Sequence, residues 1–170
     1  MIGEASAINH VLAALPGDIE VVVVGPEPRD PARPVTVTRE SPIGGGPVAA
    51  LAAGLACVKT PIVAVIATDM PFAGGQLAGL ARELPIDADA LVPVDASGRR
   101  QPLCAAYRSD SLRSALAALG SPEGASMRAL VTHLSVSEIR IADETALHDI
   151  DTAGDLALAR TIMLETKGDT

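Results

Sequence analysis

The residues best suited to chemistry are Asp69, within Thr68-Asp69-Met70-Pro71-Phe72, and the turn Gly44-Gly45-Gly46-Pro47 upstream of it. Residues 62–66 read Ile-Val-Ala-Val-Ile, a β-branched and aliphatic run of the kind that makes a buried strand. Asp69 comes directly after that run, and Pro71 closes the turn. An acid is thereby delivered to the carboxyl edge of a sheet. That edge is where open α/β sheets bind ligands, and a carboxylate there can hold a divalent cation against a phosphate. The purely structural alternative for Asp69 is a helix cap or turn residue ahead of Gly74.

The elements that must position these residues alternate along the chain. Residues 5–15 are helical in pattern and stop at Pro16-Gly17, residues 19–24 form a strand, 25–34 a proline-rich loop, and 35–38 a short second strand. Pro47 suits a first helical position, and 49–58 is a small-residue helix able to lie close on a sheet. After the 62–66 strand come an amphipathic helix over 76–84 and a hairpin, 90–94 and 103–107, around Asp95-Ala96-Ser97-Gly98. Helices over 109–119 and 126–134, a strand over 136–141 and a helix over 155–163 complete the pattern. This is an α/β chain with a mostly parallel sheet, covered on both faces, and a late antiparallel hairpin. The apolar runs at 19–24, broken only by Glu20, and at 62–66 predict strands buried on both faces.

Composition bounds the function. The 170 residues are 48% hydrophobic, with one Phe, one Tyr and no Trp, so aliphatic side chains must fill the core of a single domain. We place that domain at 1–164, with a polar tail over 165–170. The 21 acids against 13 bases give a formal charge of −8, which argues against a nucleic-acid partner and requires a metal or backbone amides to hold any small anion. Cys57 and Cys104 read as reduced core residues, and His10, His133 and His148, which share no metal-ligand spacing, as structural or exposed. No apolar run reaches the roughly 18 residues of a membrane span and no basic secretory leader is visible, so a cytoplasmic location without membrane contact is expected.

Several spaced motifs together resemble one family. Residues 40–51, Glu-Ser-Pro-Ile-Gly-Gly-Gly-Pro-Val-Ala-Ala-Leu, the 67–72 stretch and the closing His148-Asp149-Ile150-Asp151-Thr152 fall in the order and spacing of MobA-like nucleotidyltransferases. These are the molybdenum cofactor guanylyltransferases. Residues 98–108 and Gly124-Ala125-Ser126-Met127-Arg128 are also similar to that family, so the resemblance spans nearly the whole chain.

The resemblance implies a Rossmann-like three-layer fold. It also implies a reaction in which the terminal phosphate of molybdopterin attacks the α-phosphate of GTP and pyrophosphate leaves, with Mg²⁺ as cofactor. Asp69 matches the family's catalytic, metal-binding aspartate, and Asp149 or Asp151 would complete the site from the far end of the chain. Glu40 matches a nucleotide-contacting position, usually aspartate. Gly44, Gly45 and Gly46 would bring backbone amides to the nucleotide, and the helix starting near Pro47 would turn its positive end to phosphate. Arg128 would clamp the pterin phosphate, Asp149 and Asp151 would also bind the pterin, and Arg99 or Arg100 is a second clamp or a solvated surface residue. Contact with molybdoenzymes and a homo-oligomer are compatible with this reading.

One segment departs from the family pattern. Its opening strand and Leu-Ala-Gly-Gly loop, followed by a basic stretch ending in Asp-Lys, have no counterpart, and Ile2-Gly3-Glu4-Ala5 resembles the segment just after that lysine. On that reading the chain starts about 25 residues into the family's fold, the length of a βα unit. The strands at 19–24 and 62–66 must then pair directly, be bridged by another chain, or leave a groove between them. The departure is read as a sequence that lacks the family's N-terminal segment or as an altered strand order, and it leaves open a chain inactive in this form, a non-catalytic cofactor-binding relative, and, as other activities, a molybdopterin cytidylyltransferase or a phospholactate guanylyltransferase.

Overall fold

The computed structural model describes residues 6–141 and Leu147. Their elements are α1 (Ala7–Ala14), β1 (Val22–Val24), β2 (Thr36–Thr38), α2 (Pro47–Cys57), β3 (Ile62–Ile66), α3 (Gly74–Glu83), β4 (Ala90–Val94), β5 (Cys104–Arg108), α4 (Ser109–Leu119), α5 (Met127–Val131) and β6 (Val136–Arg140). The helix expected over 155–163 lies outside the described residues.

Local chemistry sets the ends of these elements. Ser6 caps α1, its hydroxyl accepting from the Asn9 amide at 3.4 Å, and α2 opens with Pro47 just inside its start. The strand expected over 19–24 begins only at Val22, where its register with the three-residue β2 begins. The Arg33 guanidinium donates to the Leu15, Pro16, Gly17 and Ile19 oxygens at 2.6–3.2 Å, which satisfies the carbonyls of the segment leading into β1. The helix expected over 126–134 stops at Val131, where i→i+3 bonds from His133 and Leu134 tighten the chain into turns.

Four strands form one sheet in the order β3-β5-β4-β6, and β1 and β2 form a separate parallel pair. Within the larger sheet β3, β4 and β6 run the same way and only β5, the return arm of the expected hairpin, is reversed. The fold is therefore mixed α/β and Rossmann-like, with a predominantly parallel sheet. Alternation along the strands sorts side chains into two layers. Ala90, Val92, Ala105 and Tyr107 pack with α2, α4 and α5, whereas Leu91, Cys104 and Ala106 pack with α3. Three layers result, with helices on both faces.

The 62–66 strand forms where expected but is not buried on both faces. Ile62, Val63, Val65 and Ile66 are half-buried and Ala64 is exposed. Ser109 N–H donates to the Pro61 carbonyl and Ala67 N–H to the Leu103 carbonyl, so odd-numbered residues of β3 face β5. By the antiparallel alternation, the N–H and C=O groups of Ile62, Ala64 and Ile66 point away from β5. Among the described residues no strand pairs with that edge, and β1 and β3 do not pair with each other.

Candidate active site at the carboxyl edge of the sheet

Topology decides which loops share an edge. β3, β4 and β6 are codirectional, so the turn holding Asp69, the hairpin tip after Val94 and the chain leaving Arg140 all sit at their carboxyl ends. α2, 11 residues and about 16 Å long, is joined to the start of β3 by only residues 58–61, so its other end, with the glycine turn, lies at the carboxyl edge. α4 starts beside the opposite edge, where Arg113 donates to the Val58 carbonyl at 2.7 Å. It is as long as α2, packs on β5 and α2, and so carries residues 120–126 back to the carboxyl edge. A direct bond closes the circuit, since Gly124 N–H donates to the Gly45 carbonyl at 2.8 Å.

Asp69 is exposed at this edge as its sequence position predicts, while Met70 and Pro71 behind it are buried and anchor the turn. Ala67 N–H donates to Leu103 at 2.8 Å and Met70 N–H to Ala67 at 3.2 Å, which fixes the turn to the hairpin. Anchoring of its two neighbours leaves Asp69 at the surface of the turn. Asp149 and Asp151, expected beside it, and His148 lie outside the described residues. Among the described residues no three His, Cys, Asp or Glu side chains form a metal-binding group. Asp69 suits Mg²⁺ nonetheless, because that ion is commonly held by one or two carboxylates completed by substrate phosphates and water.

The three glycines are needed for different reasons. Gly44 and Gly46 adopt φ of 78° and 90°, a region that L side chains avoid. Gly45 is buried, and a Cβ there would lie 2.9 Å from the Ala49 Cβ and 3.0 Å from the Pro42 carbonyl. Two of the amides expected to approach a nucleotide are bonded within the protein, Gly44 N–H to Glu40 Oε1 at 3.0 Å and Gly45 N–H to the Pro42 carbonyl at 3.0 Å. The Gly44 amide, foremost, holds the Glu40 carboxyl below the usual carboxylate range.

On the acceptor side, Ser126 caps α5 by accepting from the Ala129 amide at 3.1 Å, and Arg128 is exposed on the first turn of that helix. Of the two hairpin arginines, Arg99 is exposed and Arg100 pairs with Glu138 of β6 at 2.6 Å. The hairpin tip is organised by Asp95, which accepts from Ser97, from the Arg99 amide and from Gln101. Those bonds, the Ser97 hydroxyl first, hold its carboxyl below the usual range. Sequence reasoning missed Gly124 as a bridge to the glycine turn. Its φ of 68° follows the Pro122-Glu123-Gly124 turn signal, which marks a bend but says nothing of what the bend touches. Cys104 is buried as expected, with burial pushing its thiol up to about 11, whereas Cys57 is only half-buried. His133 is exposed and His10 half-buried.

Known proteins share this architecture. Molybdopterin-guanine dinucleotide biosynthesis protein A from Archaeoglobus fulgidus is similar with a TM-score of 0.75 and 21% identity, over 97% of this chain and 89% of that one. The 2-C-methyl-D-erythritol 4-phosphate cytidylyltransferase of Thermus thermophilus gives 0.74 and 22%, over 96% and 91%. A nucleotidyl transferase from Methanothermobacter gives 0.74 and 20%, over 98% and 84%. No curated protein matches the sequence significantly. A family model, the MobA-like NTP transferase domain, matches residues 1–138. With that model covering most of the 170 residues and the fold shared by nucleotidyltransferases, the chain belongs to the MobA-like NTP transferase domain family.

Proposed function

We propose that the protein is a nucleotidyltransferase that moves GMP from GTP to the terminal phosphate of molybdopterin. A phosphate oxygen of the pterin forms a bond to the α-phosphorus of GTP, the bond to the β-phosphate oxygen breaks, and pyrophosphate leaves with its electron pair. The observation that carries this reading is the convergence of the Asp69 turn, the Gly44–Gly46 turn and the Arg128 helix on one sheet edge. Such chemistry asks the protein for in-line placement and charge stabilisation rather than a covalent partner.

Glu40 and the glycine turn form the nucleotide side of the edge, and Arg128 the acceptor side, with Asp149 and Asp151 assigned there by resemblance. A guanidinium offers paired donors to the pterin phosphate and holds its attacking oxygen in place. Asp69, with Asp149 as a second ligand, would hold Mg²⁺, which when bound supplies charge dispersal on the α-phosphate. An edge carrying exposed Asp69 and half-buried Glu40 needs such a cation to accept a triphosphate.

Pyrophosphate release from GTP, Mg²⁺ and molybdopterin tests the reading. Turnover is expected with GTP, and Asp69→Asn should lower it on the order of 10²-fold or more, a far larger effect than on stability. Absence of pterin-dependent release, or full activity in Asp69→Asn, would overturn it. A cytidylyltransferase is the second reading, favoured by the equal likeness to the Thermus thermophilus cytidylyltransferase, and the same assay with CTP in place of GTP separates the two.

A further inference from the structure

We propose that Glu40 is a positioning residue, whose carboxylate sets the glycine turn and, through Gly45, the loop that launches the Arg128 helix, without itself meeting the triphosphate. This rests on the reading of the edge as a nucleotide site. The geometry has three links. Glu40 Oε1 accepts the Gly44 N–H at 3.0 Å, tying the turn back to the end of β2. Gly45 has no slack, being buried with its N–H on the Pro42 carbonyl and no room for a Cβ. Its carbonyl receives the Gly124 N–H at 2.8 Å, two residues before the Ser126 cap and four before Arg128.

The chemistry of the first link argues against a phosphate at this point. A carboxylate already occupies the Gly44 donor, so a phosphate oxygen would have to break a charge-assisted bond and then lie beside the displaced negative charge. The carboxylate therefore serves the turn's shape. Since Gly44 and Gly46 on either side of Gly45 are in conformations open to glycine, with its wide backbone freedom, an external tie is what selects one arrangement.

Amide hydrogen exchange at Gly44 and Gly124, measured by NMR on the full chain, and KM and kcat for GTP with molybdopterin test this in Glu40→Ala and Glu40→Gln. In Glu40→Ala both amides should exchange faster by on the order of tenfold, and KM for GTP should rise more than kcat falls. Glu40→Gln, whose amide oxygen can accept the same bond, should restore exchange and KM to within about twofold. Unchanged exchange in Glu40→Ala, or acceleration at Gly44 alone, would overturn the relay. So would a glutamine that restores exchange but not KM, since the charge would then be acting on the nucleotide directly. If the wild-type chain turns over no nucleotide, the proposed activity fails by itself, and exchange still decides whether Glu40 positions the two loops.

Discussion

β3 and β5 are neighbours paired over five residues each, and they invert what composition suggests. β3 is Ile-Val-Ala-Val-Ile, as apolar as a strand can be, yet none of its residues is fully buried. β5 is Cys-Ala-Ala-Tyr-Arg, and its first four residues are completely enclosed. The difference is one of neighbours. β5 is flanked by β3 and β4 and covered by helices on both faces, whereas among the described residues β3 has a strand on one side only. Burial depends on position in the sheet, and hydrophobicity only qualifies a strand for a position it does not choose.

The largest expected effect tests the enclosed strand. Tyr107, with its hydroxyl donating to the Pro102 carbonyl at 2.6 Å, should cost about 3–5 kcal/mol on truncation to alanine, read as a lower urea midpoint. A cost below about 1 kcal/mol would mean that the β5 layer is loosely packed. Ile62→Ala in β3 should cost roughly 1–2 kcal/mol, because only part of that side chain leaves water on folding. If Ile62 proved as costly as Tyr107, the contrast between the strands would collapse.

An acid-dependent effect of middle size belongs to the enclosed side. Asp89, just ahead of β4, accepts from the Ser111 hydroxyl at 2.6 Å and the Ser135 amide at 2.9 Å, and these bonds, the hydroxyl first, hold its carboxyl below the usual range. A carboxyl depressed on folding adds stability that is present above its unfolded value, about 3.9, and is lost as pH falls through the lower folded value. Urea midpoints at about pH 6 and about pH 3 should therefore differ more in the wild type than in Asp89→Ala. Equal differences would remove Asp89 from the account.

The smallest effect probes the open edge. Ala64→Lys, at the exposed centre of β3, should change stability by less than about 1 kcal/mol, since a lysine there can lead its charge into solvent. A loss of several kcal/mol would show that Ala64 is covered in solution.

Much of the fold was legible in the chain. Apolar runs marked β3 and β4 to the residue, Pro16 and Pro47 bounded helices, and Asp95-Ala96-Ser97-Gly98 marked the hairpin turn. At the candidate site, the place of Asp69 at the sheet edge follows from a strand succeeded by an acid and a proline. Local rules suffice in these places because the cause is local: a fixed proline torsion, a turn residue, a repeat along one strand.

What sequence could not supply was decided by contacts between distant segments. Arg33 reaches carbonyls 14–18 residues earlier, and Glu40 takes the Gly44 amide that the resemblance assigned to a nucleotide. Gly124 found Gly45 across 79 positions. A donor's side chain is written in the sequence, but its acceptor is chosen by which groups the packed fold brings within about 3 Å of it, and that choice belongs to the tertiary structure alone.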